Sequence, residues 1–259
     1  MLDSLYIAAT GMHAEQSQID TIANNLANLN TTAFKKSRVS FDDLLYRTAV
    51  VSSSEIDQFE DSAKVGMGSS VGSINKNFAN GDLKATNNPL DVAISGKGFI
   101  EVLLDNGEPA YTRNGALAVN EQGYLQTMNG YQLAAKIQLP PDATEVFIRE
   151  NGTVEARIDN SEDLLEVGQI DMVSFLNDSS LNPVGDNLFI ATEESGQPMY
   201  STAGEDGAGT LKQGFLEGSN VDLVEEMMNL VVAQRAYEVN SQIVKATDEM
   251  LRISNNLRS

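Results

Sequence analysis

Residues 4–29 read SLYIAATGMHAEQSQIDTIANNLANL. Leu5, Met12, Ile19 and Leu26 recur every seven residues, with Ala9, Ile22, Ala23 and Leu29 beside them. A seven-residue apolar period marks a helix that packs lengthwise against other helices. The spacing predicts one helix over 4–29, about 40 Å long at 1.5 Å per residue. Asp3 or Ser4 can cap its start. Gly11 weakens it by about 1 kcal/mol relative to alanine. Asn28, Asn30, Thr31 and Thr32 then favour a turn.

The same spacing returns at the far end in Leu223, Leu230, Tyr237, Val244 and Leu251. Asn220 or Asp222 opens the last helix, Asp222-x-x-Glu225 has the spacing of a capping box, and the pattern runs to about Leu257. Ala236, Ile243, Met250 and Leu257 sit one position before the main line, so the apolar band is wide. A two-stranded pair needs only a narrow seam, whereas a wide band calls for neighbours on more than one side. Gln234 and Ser241 interrupt the expected second seam position. Two such helices must meet each other, meet other chains, or both, which is the pattern of a subunit.

Between them the signals change twice. Residues 31–75 read as an extended linking arm, anchored by Phe34, Phe41, Leu44, Leu45 and Tyr46 and carrying a polar run over 47–64. Residues 76–216 read as a central all-β domain. Asn106-Gly107, Asn114-Gly115, Gln122-Gly123, Asn129-Gly130 and Asn151-Gly152 supply frequent turn signals. Asn-Gly between apolar alternations is a strong hairpin cue, since both residues tolerate positive φ. Two hairpins are expected around Asn129-Gly130 and Asn151-Gly152, with further strands at 167–176 and 188–191. The expected class is α+β: terminal helices (1–30 and 217–259) forming a coiled-coil domain, a linker arm, and a β domain.

The 259 residues carry 37 acids and 17 bases, a net charge of −20. Residues 76–216 hold 21 acids and 8 bases, whereas 1–75 and 217–259 stand at only −4 and −3. Such acidity argues against binding nucleic acid or anionic lipid. The charge split predicts a solvated middle and ends that come together. With no cysteine, disulfides, thiol catalysis and Cys-ligated zinc are excluded. No basic region followed by an apolar core marks a cleaved signal peptide, and no apolar run approaches the roughly 18 residues of a membrane span.

Catalytic signals are sparse. His13 is the only histidine, and no acid–base constellation surrounds it in sequence. No serine sits in a G-x-S-x-G elbow. Gly66-Met67-Gly68 and Gly96-Lys97-Gly98 continue as neither a phosphate loop nor a dinucleotide fingerprint, so they read as turn or bulge glycines. No twelve-residue calcium loop matches around Asp105, Asp178 or Asp206. The acidic middle alone motivates the alternative of a carboxylate-dependent hydrolase with helical oligomerisation arms. No cofactor and no metal is expected.

The run Asp20-Thr21-Ile22-Ala23-Asn24-Asn25-Leu26-Ala27-Asn28, followed by Thr31 and Phe34-Lys35, resembles the signature of bacterial flagellar rod and hook proteins. The resemblance continues through residues 91–99 (DVAISGKGF) and Tyr111-Thr112-Arg113-Asn114-Gly115. It resumes at Glu217-Gly218-Ser219-Asn220-Val221 and Gln234-Arg235-Ala236-Tyr237-Glu238. Ala33 stands where the family usually has glycine, so a turn built differently is expected there. Phe175-Leu176-Asn177-Asp178, Gly185-Asp186-Asn187-Leu188 and the stretch 47–64 resemble the distal-rod branch; proximal-rod and hook-type branches are the alternatives.

The resemblance implies a non-enzymatic axial subunit of the basal body. It would leave through the flagellar type III export channel and polymerise into a hollow helical shaft carrying torque from motor to hook. The implied partners are copies of itself, proximal rod proteins, hook protein, a rod cap during assembly, the surrounding ring bushing and the export apparatus. The implied location spans the periplasm. Leu5, Met12, Ile19, Leu26, Leu223, Leu230, Tyr237, Val244 and Leu251 become the expected interface residues. Asn24, Asn25, Asn28, Thr31 and Phe34 become the expected motif and turn residues.

Overall fold

The computed structural model describes residues 2–44, 46–49, 63–158, 164–205 and 207–256. Helix α1 spans Leu2–Ala27 and helix α2 spans Leu223–Asn256. The first ends where Asn28 begins a turn, with Thr31 N–H donating to the Asn28 carbonyl at 3.1 Å. The second is capped as its sequence predicts: Asp222 Oδ1 accepts the N–H groups of Val224 (2.8 Å) and Glu225 (3.0 Å).

The chain divides into two units. The helical unit comprises 1–27, 37–75 and 222–259, and the β unit comprises 28–36 and 76–221. Residues 31–75, read from sequence as one arm, are thus shared between the two. Strand Ser37–Asp43 pairs with Ser69–Lys76, and Tyr46–Ala49 pairs antiparallel with Ala63–Gly66. Of the stretch 47–64, residues 50–62 lie outside the described residues.

Within the helical unit α1 and α2 run antiparallel. Asn25 Nδ2 donates to Glu226 Oε2 at 3.2 Å. Gly11, fourteen residues back along α1, lies against Asn240, fourteen residues on along α2; a Cβ at Gly11 would stand 3.0 Å from Asn240 Nδ2. On this register Leu26 lies level with Glu225, about 28 Å along the axis from Val244. Leu26 and Val244 therefore do not meet within one chain. Among the described residues, α1 buries Ala8, Ala14, Thr21, Ile22 and Asn25, and α2 buries Glu226, Ala233 and Thr247. The second seam position on α2 is thus Ala233 and Asn240, not Gln234 and Ser241. A seam of small and polar residues lets the two backbones approach closely.

The β unit is antiparallel in every pairing given for its described strands. Its largest sheet orders Asn182–Gly185, Leu188–Ile190, Pro109–Thr112, Phe99–Leu103, Gln132–Leu133, Leu125–Thr127 and Leu117–Val119. Met172–Ser174 also pairs with Phe99–Leu103, and Met199–Ser201 with Met172–Ser174. The turn signals at Asn129-Gly130 and Asn151-Gly152 sit in hairpins, with Gln126 opposite Gln132 and Ile148 opposite Val154. The region 167–176 holds two strands rather than one, the first ending at Gln169 and the second starting at Met172. Alternation places Ile94, Ile100, Leu125, Val154, Met172 and Leu211 in the main core. A second core stacks Phe99, Tyr111, Phe175, Phe189 and Phe78 edge to face, with ring centroids 4.8–6.1 Å apart.

Candidate assembly surface and the buried motif cluster

Three of the motifs that resemble the rod and hook family, around residues 35, 113 and 217, converge in the β unit on three charged side chains. Glu217 Oε1 accepts from Lys35 Nζ at 2.7 Å and from the Gly81 N–H at 2.9 Å, while its Oε2 accepts from Arg113 Nε at 2.9 Å. All three side chains are buried. Arg113 also donates to the carbonyls of Gly96 and Gly98, each at 2.9 Å, and to Asn80 Oδ1 at 3.1 Å. Lys35 donates to the Ala79 carbonyl at 2.7 Å. Two cations thus share one carboxylate, and main-chain carbonyls solvate the excess positive charge.

Local geometry delivers these groups. Ala33 takes φ 57°, the left-handed region that favours glycine, and is buried. The turn therefore keeps a glycine-like backbone despite the alanine. It lays residues 33–36 beside 217–220: Ala33 N–H donates to the Glu217 carbonyl (2.8 Å), and Asn220 N–H donates to the Phe34 carbonyl (3.4 Å). The Asn220 side chain accepts from Lys36 N–H at 2.7 Å and donates to the Asn77 carbonyl at 2.8 Å. Beyond Arg113, Gly115 permits a close crossing, since a Cβ there would stand 1.7 Å from the Val92 carbonyl oxygen.

Burial and charge act against each other in this cluster. Burial first, then the Arg113 charge, pulls the Lys35 ammonium down to about 8, although Glu217 opposes both. Burial alone would raise the Glu217 carboxyl, but Arg113 and Lys35 outweigh it and hold it below its usual range.

In the helical unit, Asn25 is buried and treats Ser37 as a neighbouring strand would. Its Oδ1 accepts the Ser37 N–H at 2.8 Å and its Nδ2 donates to the Ser37 carbonyl at 2.9 Å. Asn24 is exposed, Asn28 and Thr31 are half-buried with Thr31 Oγ1 donating to Asn28 Oδ1 at 3.1 Å, and Phe34 is buried. Of the heptad residues, Leu5, Met12, Ile19, Leu26, Leu230, Val244 and Leu251 are half-buried, while Leu223 and Tyr237 are exposed. The larger apolar face of α2 points away from α1. Val224, Met227, Met228, Val231 and Val232 are all exposed, Val232 to 66%. Tyr6 and Ile7 of α1 are exposed as well.

His13 is exposed on α1. Among the described residues no group of three or more His, Asp or Glu side chains is placed to hold a metal ion. A cavity of about 770 Å³ in the β unit is lined by Pro89, Leu90, Val119, Leu139, Pro140 and Phe147, among others. The Gln213 amide beside it is already engaged, its Nε2 donating to the Pro89 and Val146 carbonyls, each at 2.7 Å.

Comparison with known proteins accounts for this arrangement. The chain matches three family descriptions in order. These are "Flagella basal body rod protein" over 5–35, "Flagellar hook protein FlgE/F/G D1 domain" over 93–156, and "Flagellar basal body rod FlgEFG protein C-terminal" over 212–257. It is 41% identical to the flagellar basal-body rod protein FlgG of Caulobacter vibrioides, with both chains covered in full. It is 42% identical to FlgG of Borreliella burgdorferi, covering 100% of this chain and 99% of that one. FlgG of Bacillus subtilis is 37% identical, again over the full length of both. The chain belongs to the flagellar basal-body rod protein family. Members of the rod protein family are structural, so the hydrolase alternative falls. Each of the three matched regions contributes one member of the buried cluster: Lys35, Arg113 and Glu217 in turn. Sequence reading quoted these residues without giving them roles.

Proposed function

We propose that the chain is a structural subunit of the distal part of the flagellar rod and polymerises into a hollow helical drive shaft. One observation carries this reading: the face of α2 turned away from α1 presents five large apolar residues between 224 and 232, far more than a monomer's helix leaves in water by chance. Heterologous contacts that do not close generate an open helical polymer. Neighbouring copies would cover this face, with the terminal helices as an inner coiled-coil layer and the acidic β unit outside. The nine heptad residues would then pack partly within and partly between subunits. Residues about 31–75 would bridge neighbours. Proximal rod proteins, hook protein, a rod cap, the ring bushing and the export apparatus would be successive partners, in a periplasm-spanning shaft. Proximal-rod or hook-type placement is the second reading.

Cells carrying the double substitution Val231→Glu/Val232→Glu test it. Electron microscopy of their basal bodies should show a shortened rod without hook, while the purified variant keeps wild-type helicity and β-unit protection. A full-length rod and hook built from that variant would refute the assembly role of the face. In cells lacking the chain altogether, basal bodies with no rod at all would favour proximal placement, and a complete rod without hook would favour hook-type placement.

A further inference from the structure

The chain lacks cysteine, so methionine is its only readily oxidised sulfur side chain. Two of its nine methionines stand together on the outward face of α2: Met227 is 53% exposed and Met228 59%. Val224 and Met228, Met227 and Val231, and Met228 and Val232 are pairs four residues apart, so these side chains form one apolar surface. Other methionines provide internal standards. Met172 is fully buried in the β core, and Met128 and Met199 are exposed elsewhere on the β unit.

We propose that Met227 and Met228 form an oxidation-sensitive site that switches association through α2, with hydrogen peroxide or another peroxide as oxidant. A sulfur lone pair attacks the hydroxyl oxygen of the peroxide, the S–O bond forms as the O–O bond breaks, and the departing oxygen takes the proton of the transferred hydroxyl, leaving as water from hydrogen peroxide or as an alcohol from an organic peroxide. The thioether is oxidised by two electrons and the peroxide is reduced by two. The product is a polar, strongly accepting sulfoxide on a face whose neighbouring side chains, Val224, Val231 and Val232, offer no donor. Burying an unpartnered polar group against such a surface weakens association by about tenfold per sulfoxide, or about a hundredfold for the pair. Assembled subunits would shield both sulfurs, so the switch would act on the free chain. Its effect on association rests on the proposed function; the reactivity of the site does not.

The experiment treats the dilute, purified full-length chain with hydrogen peroxide and maps sulfoxides by peptide mass spectrometry. Association is then followed by sedimentation over a concentration series. Met227 and Met228 should oxidise at the pace of Met128 and far ahead of Met172. The concentration needed for association should rise about a hundredfold. Methionine sulfoxide reductases should reverse the change. Met227→Leu/Met228→Leu, made in a Met250→Leu background because Met250 is also exposed on α2, keeps the apolar volume and should associate equally before and after peroxide, whereas Met128→Leu/Met199→Leu should stay sensitive. Oxidation of 227 and 228 at the slow pace of Met172 overturns the proposal. So does unchanged association of chain oxidised at both positions, or continued sensitivity of the double-leucine variant. If the untreated chain and the double-leucine variant both fail to associate at every concentration, the assembly reading of the face fails and takes the switch with it, while the oxidation map still reports the site's reactivity.

Discussion

Glu217→Gln should be the most damaging near-isosteric change in the β unit. The carboxylate accepts from two buried cations and one main-chain N–H. Glutamine keeps the shape but removes the carboxylate that pairs directly with both cations, and its amide sets a donor against Arg113 Nε or Lys35 Nζ. Removing one partner of a buried pair leaves an uncompensated charge and costs about 3–5 kcal/mol. Lys35→Met is the decisive comparison. It leaves Glu217 and Arg113 as a balanced pair and removes a desolvated charge, while the Ala79 carbonyl loses one of its two donors and keeps Asn220 Nδ2 at 3.1 Å, at a cost of no more than about 1 kcal/mol. The relief offsets part of that cost, so Lys35→Met should cost less than half of what Glu217→Gln costs.

The measurement must isolate the β unit. The chain has no tryptophan and two units, so one denaturation curve would mix their transitions. Hydrogen exchange of peptides spanning Phe99–Leu103 and Pro109–Thr112 reads the sheet directly. Suppose instead that Lys35→Met costs as much as Glu217→Gln, or that Glu217→Gln costs less than about 1 kcal/mol. Glu217 is then not the keystone of an overcharged cluster, and charge balance does not set its worth.

Three further outcomes follow from other contacts. Because burial lowers the Lys35 ammonium to about 8, the folded state binds fewer protons than the unfolded chain between about pH 8 and the ordinary lysine value of 10.5; this group's contribution therefore rises with pH across that window, by up to about 1.4 kcal/mol per pH unit, and the slope should flatten in Lys35→Met to what Lys76, also lowered by burial, leaves. Tyr111, pushed up by burial, opposes the trend above its ordinary value of 10.0, so exchange is best compared between pH 8 and 10. Gly11→Ile should open the α1–α2 pair, since even a Cβ there stands 3.0 Å from Asn240 Nδ2; circular dichroism should show lost helicity, and unchanged helicity would refute the close approach. Ala33→Gly trades relief of left-handed strain against a lost buried methyl and a freer unfolded chain, so β-unit exchange should move by less than about 1 kcal/mol, whereas Ala33→Val should cost more than about 2 kcal/mol.

Much of the β unit was legible because its turns announce themselves. Asn129-Gly130 and Asn151-Gly152 impose hairpins through positive φ at Gly130 and Gly152, whatever the rest of the chain does. The pairing of Ser37–Asp43 with Ser69–Lys76 was not legible. Its partners lie about thirty residues apart, and neither strand buries a residue fully, so no buried face writes an alternation into the sequence. The cluster of Lys35, Arg113 and Glu217 was hidden differently. Each residue is unremarkable alone, and only the tertiary fold brings together positions separated by up to 182 residues.

The helices show why apolar counting finds a seam but not its sidedness. Counting large apolar residues locates the line through Leu230, Val244 and Leu251, and these are half-buried. The line that α2 buries most deeply against α1 runs through Glu226, Ala233 and Thr247, with Asn240 between, and a hydrophobicity scale passes over it. Small and polar residues fit there because the Asn240 side-chain amide already fills the space beside Gly11, and Ala8 is buried on the same helix. The pair is then held by fit and by contacts such as Asn25 with Glu226, with few large side chains committed to it. The bulky residues are freed for the opposite face, where Val224, Met227, Met228, Val231 and Val232 lie exposed. A helix that turns its small residues to its own chain and keeps its large ones outward is arranged to gain more from neighbours than from itself.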